Sequence, residues 1–261
     1  SQAIRKVCGW LPPEFDKTNA GDLARTSLEI ENIFDYQQSG DISAITDIST
    51  ELNLLKGRVL IIDNLDSFTL NIAHAIAGLG RDICIINGRD TGVNQLSNHD
   101  YLLNVLTQYQ PSHIIIGPGP GKPQDSKLTM AMANLCLNEQ LNIPILGICL
   151  GHQALGLADG YQLIKDPNGA VHGTPVTCQN DNSGLFVNLS KFGTYVRYNS
   201  LLIAHTKENE LLANIFDDSG AIMGLRHKSK NIHSVQFHPE SIGSSNGLQI
   251  FSLFLELQSD A

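Results

Sequence analysis

The chain has 261 residues with 26 acidic and 17 basic side chains, a formal net charge of −9, which speaks against non-specific nucleic-acid binding because that depends on clustered Lys and Arg. An apolar content of 42% beside only 16% charged residues fits a packed core and not a disordered chain. The cysteines, Cys8, Cys84, Cys136, Cys149 and Cys178, are odd in number and widely spaced and lack a C-x-x-C pair, so they suggest neither a disulfide framework nor a zinc site.

No apolar run approaches the ~20 residues that span a bilayer, and the first residues show no signal-peptide core. The expectation is an unexported, cytoplasmic protein with no membrane and no nucleic-acid partner. Residues 1–56 open with a turn-rich piece, Cys8 to Phe15 (CGWLPPEF), followed by two weakly amphipathic stretches. Leu23, Ile30, Ile33 and Phe34 mark the first, and Ile45, Ile48, Leu52 and Leu55 the second. This part reads as an N-terminal extension or linker, either short helices or loosely ordered chain, ahead of a main domain over 57–261.

From Gly57 strands and helices alternate. Arg58 to Asp63 (RVLIID) predicts a buried strand, and Phe68, Ile72, Ile76 and Leu79 mark a helix face that ends at Gly80. Asp82 to Asn87 is a second strand, His99 to Tyr109 a helix and Ser112 to Ile116 a third strand. Lys127 to Gln140 is a further helix, and Ile143 to Ile148 the strand before Cys149, with a helical pattern resuming at Leu155 to Ala158. Continuous apolar strands alternating with helices predict a mostly parallel central sheet flanked by helices, α/β in class. Further on, strands are expected at Pro175 to Cys178, Tyr195 to Arg197, Ala221 to Arg226 and His233 to Gln236. A helix over Asn246 to Leu257 closes the chain.

Ligands in such sheets bind beyond the carboxyl ends of the strands, and three unusual segments fall there. The first strand runs into DNLDSFT (Asp63 to Thr69), the third into GPGPG (Gly117 to Gly121) and the fourth into Cys149 between Gly147 and Gly151. A soft nucleophile between glycines on a strand-to-helix turn is the pattern of a nucleophile elbow, and a helix N-terminus favours a thiolate. Alternating Pro and Gly fix an irregular loop whose glycines expose main-chain N–H groups. The last strand ends in FHPES, in which His238 and Glu240, two residues apart, share one face of an extended segment. A cysteine, a histidine base and an orienting carboxylate make up the general activated-nucleophile arrangement.

GICLGHQ (Gly147 to Gln153), GPGPG and QFHPES (Gln236 to Ser241) together resemble the class I, triad-type glutamine amidotransferases, whose fold is flavodoxin-like. The resemblance covers about residues 57 to 257. DNLDSFTLN (Asp63 to Asn71) is similar to the start of the glutaminase components of chorismate-using synthases, anthranilate synthase component II and aminodeoxychorismate synthase component II. The resemblance implies Cys149 as nucleophile, His238 as acid and base and Glu240 as its holder. It implies an oxyanion hole from the backbone of Gly119 and Leu150, and glutamine-binding positions at Gly119, Pro120, Gly121, Gln153, Asn199 and Ser200. It also implies L-glutamine as substrate, a chorismate-using synthase as partner, and no cofactor in this chain, with Mg²⁺ belonging to the partner.

The pattern is not matched everywhere. Tyr198-Asn199-Ser200 stands where Tyr-His-Ser is common, Gly117 where Ser is common, and Thr174 where Lys follows His172-Gly173. Asn199 and Gly117 also resemble the glutaminase part of synthases that make 2-amino-2-deoxyisochorismate. The small subunit of carbamoyl phosphate synthase shares the elbow but fits Pro239-Glu240-Ser241 and DNLDSFT less well. A non-catalytic scaffold of the same fold, its N-terminal arm binding or regulating a partner, has only Asn199 in its support, and the intact Cys149, His238 and Glu240 argue against it. The helix after DNLDSFT is expected to be capped by Ser67 or Thr69, and His152 is expected to pack behind the site.

Overall fold

The computed structural model describes residues 57–89, 97–138, 141–206 and 209–258, so the amphipathic stretches expected in 1–56 lie outside the described residues. Four apolar runs form strands β1 (Arg58–Asp63), β2 (Asp82–Asn87), β3 (His113–Ile116) and β4 (Ile145–Ile148). They pair in parallel in the order β2-β1-β3-β4. Their interiors can be apolar on both sides because helices cover both faces. On one, Val59 and Ile61 meet Ile72 and Ile76 of α1 (Thr69–Gly78) and Phe251 and Phe254 of α5 (Gly247–Glu256). On the other, Leu60 and Ile62 join a cluster with Leu102 of α2 (Asn98–Tyr109), Met132 of α3 (Lys127–Asn138) and Leu155 of α4 (Leu150–Ala158).

The remaining strands are β5 (Gln162–Lys165), β6 (Thr174–Asn180), β7 (Phe192–Arg197), β8 (Leu201–Ala204), β9 (Leu211–Asp217), β10 (Ile222–His227) and β11 (Ile232–Val235). The last of them, β11, lies parallel to β4 as the fifth parallel strand. Beyond it the sheet continues antiparallel, giving nine strands in the order β2-β1-β3-β4-β11-β10-β9-β6-β7, while β5 and β8 form a separate antiparallel pair. The order turns back at β1, whose chain leads to β2 on one side while β3 lies on the other. This switch point opens a crevice at the strand ends that carry DNLDSFT and GPGPG.

Several local expectations need correcting. Neither Ser67 nor Thr69 caps α1; its N-cap is Phe68, without a side-chain cap. The turn is instead organised by the Asp63 carboxylate, whose Oδ1 accepts from Leu65 N (3.0 Å), Asp66 N (3.3 Å) and Thr69 Oγ1 (2.6 Å). A carboxylate offers about four acceptor sites where a hydroxyl offers two. Helix α4 starts at Leu150 and not at Leu155, since burial of every residue from Leu150 to Gly156 outweighs the poor propensity of its glycines. Strands β5, β8 and β9 were not expected. Two of them have four residues, too few for a period, and in β9 (LLANIFD) a buried Asn214 breaks the alternation.

Three buried histidines stay neutral inside this framework. Burial pushes His152 down to about 3, and burial reinforced by Arg81 and by Arg226 pushes His113 and His233 each down to about 4. Unfolded histidine titrates near 6.5, so between that value and about 4 the unfolded chain binds more protons than the folded one, and stability rises with pH. Their contribution is therefore complete above about pH 6.5 and is lost as pH falls toward 4 and below. The urea midpoint should fall between pH 6.5 and 4, and His233→Gln should show a shallower decline than the parent chain. An identical slope in the variant would contradict this.

Candidate active site

Cys149 links β4 to α4 with φ 53° and ψ −100°, a conformation non-glycine residues rarely adopt. The neighbouring glycines are required by packing. A Cβ at Gly147 would lie 2.8 Å from the Gly151 carbonyl oxygen, and one at Gly151 would overlap the Ile116 carbonyl oxygen. The bend is held by Cys149 N–H donating to Val235 O (2.9 Å) and by Gln153 N–H donating to Cys149 O (3.1 Å). Cys149 is only 6% exposed, which gives a nearly closed site.

The register Ile148↔Val235 between β4 and β11 makes Cys149 and the FHPES segment leave the same end of adjacent strands. His238 Nδ1 bonds Glu240 Oε1 at 2.7 Å, with both side chains 1% exposed. Main-chain bonds fix the histidine as well, from His238 N to Val196 O (3.0 Å) and from Ser244 Oγ to His238 O (2.6 Å). Its ring is flanked by Phe68 and Tyr198, with centroids at 5.0 and 5.1 Å. Among the described residues Nε2 has no hydrogen-bond partner. Burial alone would depress this imidazole, but the Cys149 sulfur and then Glu240 outweigh it and raise the pKa to about 11. Both neighbours favour the protonated imidazole.

Gly119 belongs beside this pair. A Cβ there would overlap Asn64 Cβ and lie 3.3 Å from Leu150 Cδ1, so the glycine loop closes against the first residue of α4. Asn64, fully buried, donates from Nδ2 to Gly117 O (3.1 Å) and accepts from Thr129 Oγ1 (2.7 Å). Arg89 donates from Nε to Asn64 O (3.0 Å) and from Nη2 to Pro120 O. DNLDSFT and GPGPG are thus fastened together by an amide and a guanidinium. Gly117 in place of serine fits a confined position, since a Cβ there would lie 2.8 Å from Ile62 O. Gly121 has φ +84°; Pro120 and Gly121 are exposed at the rim.

Of the remaining expected positions, Gln153 is buried and donates from Nε2 to Leu201 O and to Gln236 Oε1, each at 3.0 Å. Asn199 is turned to a different task. Its Oδ1 accepts from Arg197 Nε (3.1 Å) and its Nδ2 donates to Leu201 O (2.8 Å), so the side chain braces the turn from β7 to β8. Ser200 is exposed, and its carbonyl accepts from Asp166 N (3.0 Å). His152 is fully buried and bonds Ser234 Oγ (2.8 Å), behind the elbow as expected.

Sequence reading missed two groups. Gln236 is fully buried and its Nε2 lies 3.6 Å from Cys149 Sγ; it stands in the quoted QFHPES run, two residues before His238, which was the available signal. Arg197 is buried and pairs with Asp166 (2.6 Å) and Asp217 (3.0 Å). Nothing in the local sequence marks three charges 31 and 20 residues apart as partners. Among the described residues no group of three or more His, Cys, Asp or Glu could hold a metal ion, and no helix is long and apolar enough to cross a membrane.

A strained cysteine elbow, a carboxylate-held imidazole and a glycine loop at one end of a doubly wound sheet have the form of a thiol-dependent acyl-transfer site. The family model for glutamine amidotransferase class-I matches residues 60–257. The chain is 36% identical over 200 residues to anthranilate synthase component 2 of Porphyra purpurea, covering 76% of this chain and 98% of that protein. It is 34% identical over 202 residues to aminodeoxychorismate synthase of Streptomyces griseus, covering 77% of this chain but 26% of that larger protein. In fold it is similar to the crystal structure of a glutamine amidotransferase from Thermotoga maritima, with TM-score 0.57, 16% identity, and coverage of 70% of this chain and 76% of that one. The chain belongs to the class-I glutamine amidotransferase family, and it is a glutamine amidotransferase.

Removing Arg197 would leave two buried carboxylates facing each other without a cation. Arg197→Leu should cost about 3–5 kcal/mol, measured by urea denaturation at neutral pH. A loss no larger than that of an exposed ion pair would refute the assignment.

Proposed function

We propose that this chain is the glutaminase component of a chorismate-aminating synthase, anthranilate synthase in the first place, with Cys149, His238 and Glu240 as its catalytic residues. The observation that carries the reading is the buried His238–Glu240 pair beside the strained Cys149, within a chain most of whose length aligns with an anthranilate synthase component 2. Cys149 Sγ, as thiolate, attacks the side-chain amide carbon of L-glutamine. The oxyanion that forms is met by the main-chain N–H of Gly119 and of Leu150, the residue after the nucleophile. His238 Nε2 delivers its proton to the departing nitrogen, releasing ammonia and a γ-glutamyl thioester. Water then adds to the thioester while His238 takes its proton, glutamate leaves, and the thiolate–imidazolium pair is restored.

Gly119, Pro120, Gly121, Gln153 and the 199–200 turn line the glutamine site in this reading. At Asn199 the contribution is main-chain position, because its side chain is committed to Arg197 and Leu201. Ammonia is useful only if it reaches an acceptor before bulk water protonates it, so the chain docks on a synthase that binds chorismate, and Mg²⁺ belongs to that partner. The amidotransferase domain spans 57–261 with 1–56 as an N-terminal extension, and cytoplasm is the setting this reading expects. The alternative is the glutaminase of aminodeoxychorismate synthase or of a 2-amino-2-deoxyisochorismate synthase; likeness to the Streptomyces griseus protein supports the former.

Cys149→Ala should abolish glutamine-dependent amination of chorismate while amination from added ammonium by the partner persists, and product analysis of the reconstituted complex separates the three synthases. Glutaminase activity surviving the substitution would sink the reading. Glu240→Gln should keep the fold and lower the glutaminase rate by roughly 10²-fold or more, because the imidazolium loses its anionic partner. Steady-state kinetics at neutral pH measure it, and an unchanged rate would remove Glu240 from the catalytic set.

A further inference from the structure

The two buried amides behind Cys149 can be oriented without ambiguity. A backbone carbonyl only accepts, so the Gln153 atom 3.0 Å from Leu201 O is the nitrogen Nε2. The same nitrogen lies 3.0 Å from the Gln236 carboxamide, and its second hydrogen requires an acceptor there, which identifies Oε1 of Gln236. The remaining end of Gln236, its NH₂, therefore faces Cys149 Sγ at 3.6 Å. The main chain of Gln236 is fixed by its N–H donating to Met223 O (2.9 Å), and the residue is fully buried, so the donor is held without exchange with water.

We propose that Gln236 is a catalytic residue: its carboxamide, held by Gln153 and so by Leu201 O, donates to Cys149 Sγ, fixes the sulfur for attack and favours its thiolate over its thiol. The proposal rests on Cys149 being the nucleophile. A thiol is a weak acceptor and a thiolate a charged one, so a rigid N–H aimed at sulfur binds the two forms unequally, and hydrogen bonds to charge are the stronger kind. His238 cannot perform this task throughout the cycle, because it gives up its proton to ammonia, whereas the amide donor is present at every stage. A neutral donor also adds no second cation beside the imidazolium, which would oppose its protonation.

The test is alkylation of Cys149 by iodoacetamide across a pH series in the full chain, followed by mass spectrometry of the Cys149 peptide, alongside glutaminase kinetics. Gln236→Met should move the alkylation midpoint up by about one pH unit. It should also lower kcat by roughly 10- to 100-fold, the effect of one hydrogen bond to a charged group, with KM little changed. Gln236→Glu, isosteric but negative and without the donor, should shift the midpoint further. Should Gln236→Met fail to fold, Gln236→Glu gives the same readout. Gln153→Met keeps Gln236 but frees its amide to turn over, and should fall between parent and Gln236→Met. Coincident midpoints in folded variants would overturn the proposal. Alkylation needs no glutamine, so a parent chain without glutaminase activity would refute the functional reading while leaving the midpoint comparison intact; unchanged midpoints in an active enzyme would refute Gln236 alone.

Discussion

Everything in the site depends on one pairing, that of β11 with β4. Strands far apart in the sequence lie parallel in the register Ile148↔Val235, and Cys149 N–H continues the ladder onto Val235 O. A cysteine one residue past its strand and a histidine three residues past the neighbouring strand are thereby brought to the same rim. The φ of 53° at Cys149 costs on the order of 1–3 kcal/mol, and it persists because the surroundings over-determine it. Gly147 admits the close approach of the Gly151 main chain and Gly151 that of the main chain of β3, and α4, buried from Leu150 to Gly156, cannot shift to relieve it.

The antiparallel half of the sheet holds the histidine. Among the described residues edge strand β7 has no sheet neighbour on its outer side, and the turn after β11 occupies that side. Ser244 Oγ accepts from Val196 N and donates to His238 O, Ser245 N donates to Thr194 O, and Thr194 N donates to Ser245 Oγ. The unpaired edge is thus satisfied by the segment that carries the imidazole. The same strand ends at Arg197, whose guanidinium ties the 166 loop, the end of β9 and Asn199 together directly behind Tyr198, one of the rings flanking His238.

Much of the parallel half was legible in the sequence because strands buried on both faces write themselves as unbroken apolar runs, as in RVLIID and HIII. The residues with chemistry were legible for the same reason in reverse: Cys149, His238 and Glu240 interrupt strand ends where polarity needs a cause. Strands β5, β8 and β9 were not, being short or partly exposed. Least legible were the polar residues that act through others. Asp63 is one of two acids in DNLDSFT, and nothing local marks it as the one whose carboxylate organises the turn. Arg197, Asp166 and Asp217 find each other only through tertiary structure.

Asn199 shows how a departure from a family pattern can be absorbed. Judged by sequence alone, loss of the usual histidine next to Tyr198 weakens the substrate site. In the fold the asparagine offers one acceptor to Arg197 Nε and one donor to Leu201 O. Leu201 O is also the carbonyl to which Gln153 donates. A side chain at position 199 therefore reaches the sulfur in steps, from Asn199 to Leu201 O, to Gln153, to Gln236, to Cys149, each a hydrogen-bonded contact of 2.8 to 3.6 Å. In a buried polar network the members are coupled, and one unsatisfied group weakens the rest. What is required at 199 is consequently a residue that satisfies both Arg197 and Leu201 O without a charge of its own, and an amide meets that condition with one acceptor and one donor in fixed geometry.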